Sequence, residues 1–217
     1  MPTRSPRLAM LGLLALTACI PYAVGQTAQT VEPGSMVFAQ STFLVPQGFE
    51  LRSDSGRKYA PRAGVDFEYR YGVDEALDVG VRVPSLTGLI VNMKRRQFDD
   101  ESSIWRAYTL GGGIVNGGDH LYGEFMLHVS ASELVPKPIT PYGALRMSQV
   151  VPIRRGAVSD WPTIGVAFGA KVGNEAYAFM PEVGVFYDRS ALGINSRRII
   201  VVPSLSIARR QERGRQD

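Results

Sequence analysis

The sequence predicts an all-β chain, an antiparallel up-and-down β-barrel of about ten strands, with eight as the count if the fifth or tenth segment is not a strand. Three observations carry this. Val65, Phe67, Tyr69 and Tyr71 alternate with Asp66, Glu68 and Arg70, and Leu77, Val79, Val81 and Val83 alternate with Asp78, Gly80 and Arg82, which makes one side apolar and the other charged. No stretch holds a helical period over three turns, and strand-like segments recur from Ser35 onward. The chain opens on Arg4 and Arg7 followed by an apolar run over residues 8–16, the layout of an export signal too short to span a bilayer as a helix. An exported chain with no longer apolar stretch crosses a membrane only as a closed barrel, with apolar residues toward lipid and charged ones toward the lumen.

Taken in order, residues 1–18 form the signal segment. Residues 19–34, with Pro21, Gly25, Pro33 and Gly34 among Gln and Thr, read as a flexible tether with little core-forming capacity. The barrel domain runs over 35–208, with strands expected at 36–45, 63–72, 76–83, 88–97, 104–114, 121–131, 140–149, 163–172, 177–187 and 199–208. In the sixth, Phe125, Leu127 and Val129 oppose Glu124, Met126, His128 and Ser130; in the eighth, Ile164, Val166 and Phe168 oppose Gly165, Ala167 and Lys171. Arg106 and Arg146 disturb the fifth and seventh. Residues 209–217 hold four arginines and no apolar residue, and read as a charged disordered tail.

The connections fall into two alternating sets. Those at 46–62, 84–87, 115–120, 150–162 and 188–198 are longer on average than those at 73–75, 98–103, 132–139 and 173–176, as expected when long external loops alternate with short periplasmic turns. An even strand count puts both termini on the periplasmic side. Parity allows two registers for the first hairpin. Pairing Arg70 with Asp78 and Asp66 with Arg82 neutralises more charge than the register shifted by two, which pairs Glu68 with Arg82 and sets Arg70 against Gly80, so the first is expected.

The inward charges Asp66, Glu68, Arg70, Asp78, Arg82, Lys94, Arg96, Glu124 and Lys171, with Asn92, are the candidate site. An eight-stranded barrel is just wide enough for its side chains to fill it. These charges are therefore expected chiefly to neutralise one another as a lumen plug, in preference to lining a conducting or binding lumen. Tyr59, Tyr71, Trp105, Tyr108, Tyr122, Tyr142, Trp161, Tyr177 and Tyr187 lie near segment ends, where interfacial aromatic girdles would hold them. Removing residues 1–18 takes Arg4 and Arg7 from the 24 basic residues and leaves all 20 acidic ones, a net charge of +2 that argues against a nucleic-acid partner. The glycines at 111–113 and 117–118 precede no helix and so make no phosphate cradle, and the spacing of Asp99, Asp100 and Glu101 is not that of a calcium loop. Neither a metal nor a cofactor is expected.

Leu16, Thr17, Ala18 and Cys19 resemble the bacterial lipobox. That resemblance implies cleavage before Cys19 and acylation of the cysteine, the only one in the chain, with sorting to the outer membrane because Ile20, not aspartate, follows it. The run from Tyr69 to Arg82 is similar to the hairpins of small Gram-negative outer-membrane β-barrel proteins, so the chain resembles a lipoprotein variant of that family. The last strand departs from the pattern, since a charged tail follows it where such barrels end on an aromatic residue. The resemblance implies lipid bilayer and lipopolysaccharide as surroundings, barrel-insertion and lipoprotein-sorting machinery as partners, and an anchored N-terminus on the periplasmic side. The role it implies is structural or interactive, with minor passage of small solutes. A lipid-anchored soluble barrel holding an apolar ligand is the alternative, and it would bury Phe67, Tyr69, Phe125 and Phe168. His128 and Ser130 also resemble the His-x-Ser pair of outer-membrane lipid A deacylases, whose triad a glutamate completes. Glu124 and Glu133 do not match that family's later glutamate, where this chain has Tyr142, and enzymatic activity is not expected.

Overall fold

The computed structural model describes residues 20–53, 56–97, 103–131, 138–153, 162–174, 176–187 and 199–211, with the side chains of 47–60 outside that set. Ten strands follow one another: β1 (Met36–Ser53), β2 (Gly56–Gly72), β3 (Leu77–Pro84), β4 (Leu89–Gln97), β5 (Ile104–Val115), β6 (His120–Ala131), β7 (Ile139–Pro152), β8 (Thr163–Gly173), β9 (Tyr177–Tyr187) and β10 (Ile199–Gln211). Each pairs antiparallel with its sequence neighbours, and β1 pairs with β10 to close the barrel. Closure leaves no unpaired sheet edge, a condition for a sheet in hydrocarbon.

The alternation read from the sequence sorts the two faces. Tyr69, Val81, Val91, Leu127, Phe168 and Val183 lie exposed on the outer wall, whereas Glu68, Arg82, Asn92, His128, Ala167 and Glu182 are buried inside. Phe67 and Phe125 also point outward and are half-buried among their neighbours. Phe168 is 64% exposed at the middle of β8, a surface that water would penalise and lipid would not. Parity resolves the two disturbed strands as well, since Arg106 faces out and Arg146 faces in.

Four expectations change. The first connection is much shorter than residues 46–62, because the β1–β2 ladder resumes beyond an irregularity between Val45 and Phe49 and runs to Ser53 and Gly56. Pro46 and Pro61 lie at that interruption, where neither can donate to a ladder. Residues 209–211 are not disordered: Arg209, Arg210 and Gln211 pair with Phe38, Val37 and Met36, while 212–217 lie outside the described residues. The aromatic girdle loses Trp105, Tyr122 and Tyr142, which are buried inside the barrel; Trp161 and the Tyr59 side chain lie outside the described residues. The fourth change is the largest. Residues 20–34 do not hang free as a tether, because Ile20, Tyr22, Val24, Gln26, Ala28 and Thr30 are buried within the lumen.

The barrel has a near end, where β1 begins and β10 finishes, and a far end. The turn from Glu32 to Ser35 at the near end carries the inner segment into β1, with Ser35 N–H donating to Glu32 O at 3.0 Å and Gly34 N–H to Gly72 O at 2.9 Å. Gly34 takes a φ of 75° there, which a glycine adopts without steric cost.

Candidate functional site: the occupied lumen

The site is the barrel interior, and it divides into two layers. Toward the far end, Phe43, Val45, Ile90, Val115, Val150, Phe186, Ile200 and Val202 form one buried apolar cluster with Ile20 and Tyr22 of the inner segment. The Tyr22 ring meets Phe43 and Phe186 edge-on at centroid distances of 5.8 and 5.3 Å. Ten strands enclose more room than their own side chains fill, and the segment supplies the missing volume.

Below that layer the charges are buried and connected. Glu68 stands opposite Arg82 and Arg70 opposite Gly80, so the register is the one the sequence reading set aside. Gly80 suits it. A Cβ there would lie 2.8 Å from Asn92 Oδ1 and 2.9 Å from Arg70 Nη1, so the glycine lets the guanidinium cross the strand without displacing either side chain. Arg70 still reaches Asp78 diagonally, donating from Nε at 2.9 Å, and donates from Nη1 to Glu68 at 2.7 Å and to Asn92 at 2.6 Å. Charge pairing thus survives without residue-to-residue opposition. Arg82 donates to Glu68 Oε2 at 2.9 Å, and Lys94 lies 3.5 Å from Asp78.

A second cluster lies across the lumen on β6 and β7. Glu124 accepts from Tyr122 Oη at 2.9 Å and from Arg146 Nη2 at 3.0 Å, and Arg82 Nη1 lies 4.0 Å away, which links the two clusters. Asp66 accepts from the Ser85 N–H at 3.2 Å. Of the remaining candidate residues, Lys171 donates to Gln29 Oε1 at 3.3 Å, while Arg96 stands 4.7 Å above the Trp105 ring and belongs to the near end.

The charges also grip the inner segment. Glu182 accepts from Val24 N–H at 2.9 Å and Gly25 N–H at 3.0 Å, and its remaining bonds come from Tyr142 and Ser204. Gln26 donates to Glu68 at 2.8 Å, Val31 N–H donates to Asp78 at 2.9 Å, and Lys94 Nζ donates to Thr27 O at 3.4 Å and Gln29 O at 2.5 Å. An irregular backbone inside a barrel needs such partners, because each buried polar group left unmatched costs free energy. Beside the segment at the near end is a cavity of about 120 Å³, bordered by Thr27, Lys94, Lys171 and Arg210.

Arg146, Glu182, Tyr122 and Tyr142 belong to this site and were missing from the sequence-derived set. Strand parity alone would have placed all four inward, since each shares its phase with buried neighbours on β6, β7 or β9. His128 is 1% exposed and bonds Thr109 Oγ1 at 2.9 Å, and Ser130 Oγ has no hydrogen-bond partner among the described residues. No His–Ser bond of the hydrolase kind is made there, and both side chains turn away from the outer wall. Glu133, Asp99, Asp100, Glu101 and Cys19 lie outside the described residues.

No family model matches the chain, and no curated protein matches it. Among solved structures it is similar to an outer membrane channel from Pseudomonas putida F1, with 6% identity over 88% of this chain and 100% of that one at a TM-score of 0.53. That likeness is one of fold. Ail from Yersinia pestis also matches, at 10% identity over 82% of this chain and 99% of that one with a TM-score of 0.38. OprG, an outer membrane protein from Pseudomonas aeruginosa, matches at 11% identity over 87% and 100% with a TM-score of 0.35.

Proposed function

We propose that the chain is an outer-membrane β-barrel, attached to lipid through Cys19, whose lumen is closed by its own amino-terminal segment and whose role is structural or interactive. Segment 20–34 carries this reading: it packs an apolar layer at the far end and binds Glu68, Asp78, Lys94 and Glu182 below it. A closed barrel with an apolar outer wall suits lipid, and the shared fold with a known outer membrane channel supports the address. A soluble ligand carrier fits poorly, because Tyr69 and Phe168 stand outside where that reading buries them. Solute passage would require the segment to leave.

The test combines three measurements on the full chain. Expected are retention in the membrane after carbonate extraction with heat-modifiable gel mobility, palmitate incorporation that Cys19→Ala abolishes, and a silent planar bilayer that deletion of 20–34 makes conductive. Carbonate release without a mobility shift, palmitate uptake by the variant, or steady conductance of the intact chain would each overturn the corresponding part.

A further inference from the structure

We infer that the chain is threaded through its own barrel from outside to inside, so that Cys19 and the lipid on it emerge at the cell-surface end and enter the outer leaflet. This rests on the outer-membrane and acylation reading above, and it replaces the inner-leaflet attachment expected from an even strand count.

The direction of threading is written in the contacts. Tyr22 meets Phe43, Gly25 approaches Ser41 and Ser206, Gln26 bonds Glu68, Val31 bonds Asp78, and Pro33 bridges Gly72. Along β1 and its partner rungs those positions descend steadily from the far end to the near end. The segment therefore runs antiparallel to β1, and the turn at 32–35 reverses the chain. Ile20 closes the far end, and Cys19 is one residue of ~3.8 Å from it. Reaching the near end from Ile20 takes the whole segment.

The near end is the periplasmic one. There β1 begins and β10 finishes, and its connections, 73–76, 98–103, 132–138 and 174–176, run three to seven residues, whereas the far end holds three of two to four residues and the two longest of all, 153–162 and 188–198. In bacterial barrels the short turns face the periplasm and the longer loops the outside. The opposite face thus receives the amino terminus.

The wall at that face has a low sill leading to lipid. The β2–β3 ladder stops at Asp66 and Pro84, while β2 continues against β1 for ten residues more, to Gly56. The short turn joining β3 to β4 presents Leu86, 67% exposed, beside Leu89, 47% exposed. Acyl chains leaving the lumen over these leucines would pass along apolar surface into the bilayer, and two or three chains on one residue satisfy the requirement for stable anchoring.

The test uses the full chain in a Gram-negative host, with an epitope inserted between Cys19 and Ile20 in one variant and after Asp217 in another. Antibody should bind the first on intact cells at least tenfold more than the second, which should need permeabilised cells. Binding of the first epitope only after permeabilisation, with the heat-modifiable shift retained, would overturn threading and leave the outer-membrane reading standing. Carbonate release without the shift would remove both. A variant without an epitope, Gln26→Cys with Glu68→Cys, checks that the segment occupies the lumen, because those side chains are hydrogen-bonded at 2.8 Å. A short bifunctional thiol reagent should cross-link the pair, and no cross-link in protein that keeps the heat-modifiable shift would overturn the inference.

Discussion

Glu182 shows how much one lumen carboxylate holds together. It accepts two consecutive backbone N–H groups of the inner segment as well as the Tyr142 and Ser204 hydroxyls, and it is 4% exposed. Truncation strands both N–H groups where water does not replace the carboxylate. Glu182→Ala should therefore destabilise the folded barrel by about 2–6 kcal/mol, one to three per unmatched donor. Lys171→Ala, which removes a half-buried side chain that donates to a neutral amide at 3.3 Å and strands no backbone N–H of the inner segment, should cost less than Glu182→Ala. Urea unfolding of both variants in lipid vesicles would compare them, and equal losses would contradict the role given to Glu182. The sequence did not single out Glu182 because a lone glutamate beside Pro181 in β9 shows no partner in its own strand. Its partners come from residues 24 and 25, 157 and 158 positions away.

At the scale of the element, alternation made most of the wall legible. In β2, β3, β6 and β8 a strict two-residue period separates aromatic and aliphatic residues from charged and small ones, and the strands observed there match the expected bounds within a residue or two, apart from the early start of β2. Two things were not legible in physical terms. Register depends on volume as well as charge, and pairing formal charges ignored the space that a guanidinium needs over Gly80. The inner segment has no period, because an extended chain along a barrel axis contacts the wall on every side. Its Gln and Thr looked like tether composition and serve as hydrogen-bonding groups. The register itself can be measured: Glu68→Cys with Arg82→Cys should cross-link readily, and Arg70→Cys with Asp78→Cys should lag well behind, since 70 opposes 80 and 78 opposes 72. The reverse order of yields would restore the discarded pairing.

For the molecule as a whole, the outer wall sets the solvent. Phe168 lies at the middle of β8, between Gly143 of β7 and Val183 of β9, and projects from the barrel. If that wall faces hydrocarbon, Phe168→Arg should cost about 2–4 kcal/mol near the bilayer midplane. In a water-facing barrel the same change would be neutral or would improve solubility, so refolding yield into lipid vesicles against detergent-free buffer decides between them. The seam between β1 and β10 carries a further consequence, for the order of assembly. It joins Met36 to Gln211, the pairing most distant in sequence, and loop-closure entropy makes such pairings late. A closed seam leaves no lateral gap through which an extended segment could enter. Residues 20–34 therefore enter lengthwise through an end or before the last ladder zips. Acyl chains on Cys19 would favour the second order, since end-on entry drags them through a charged lumen while an open sheet lets the lumen carboxylates collect those backbone amides as the wall curls shut.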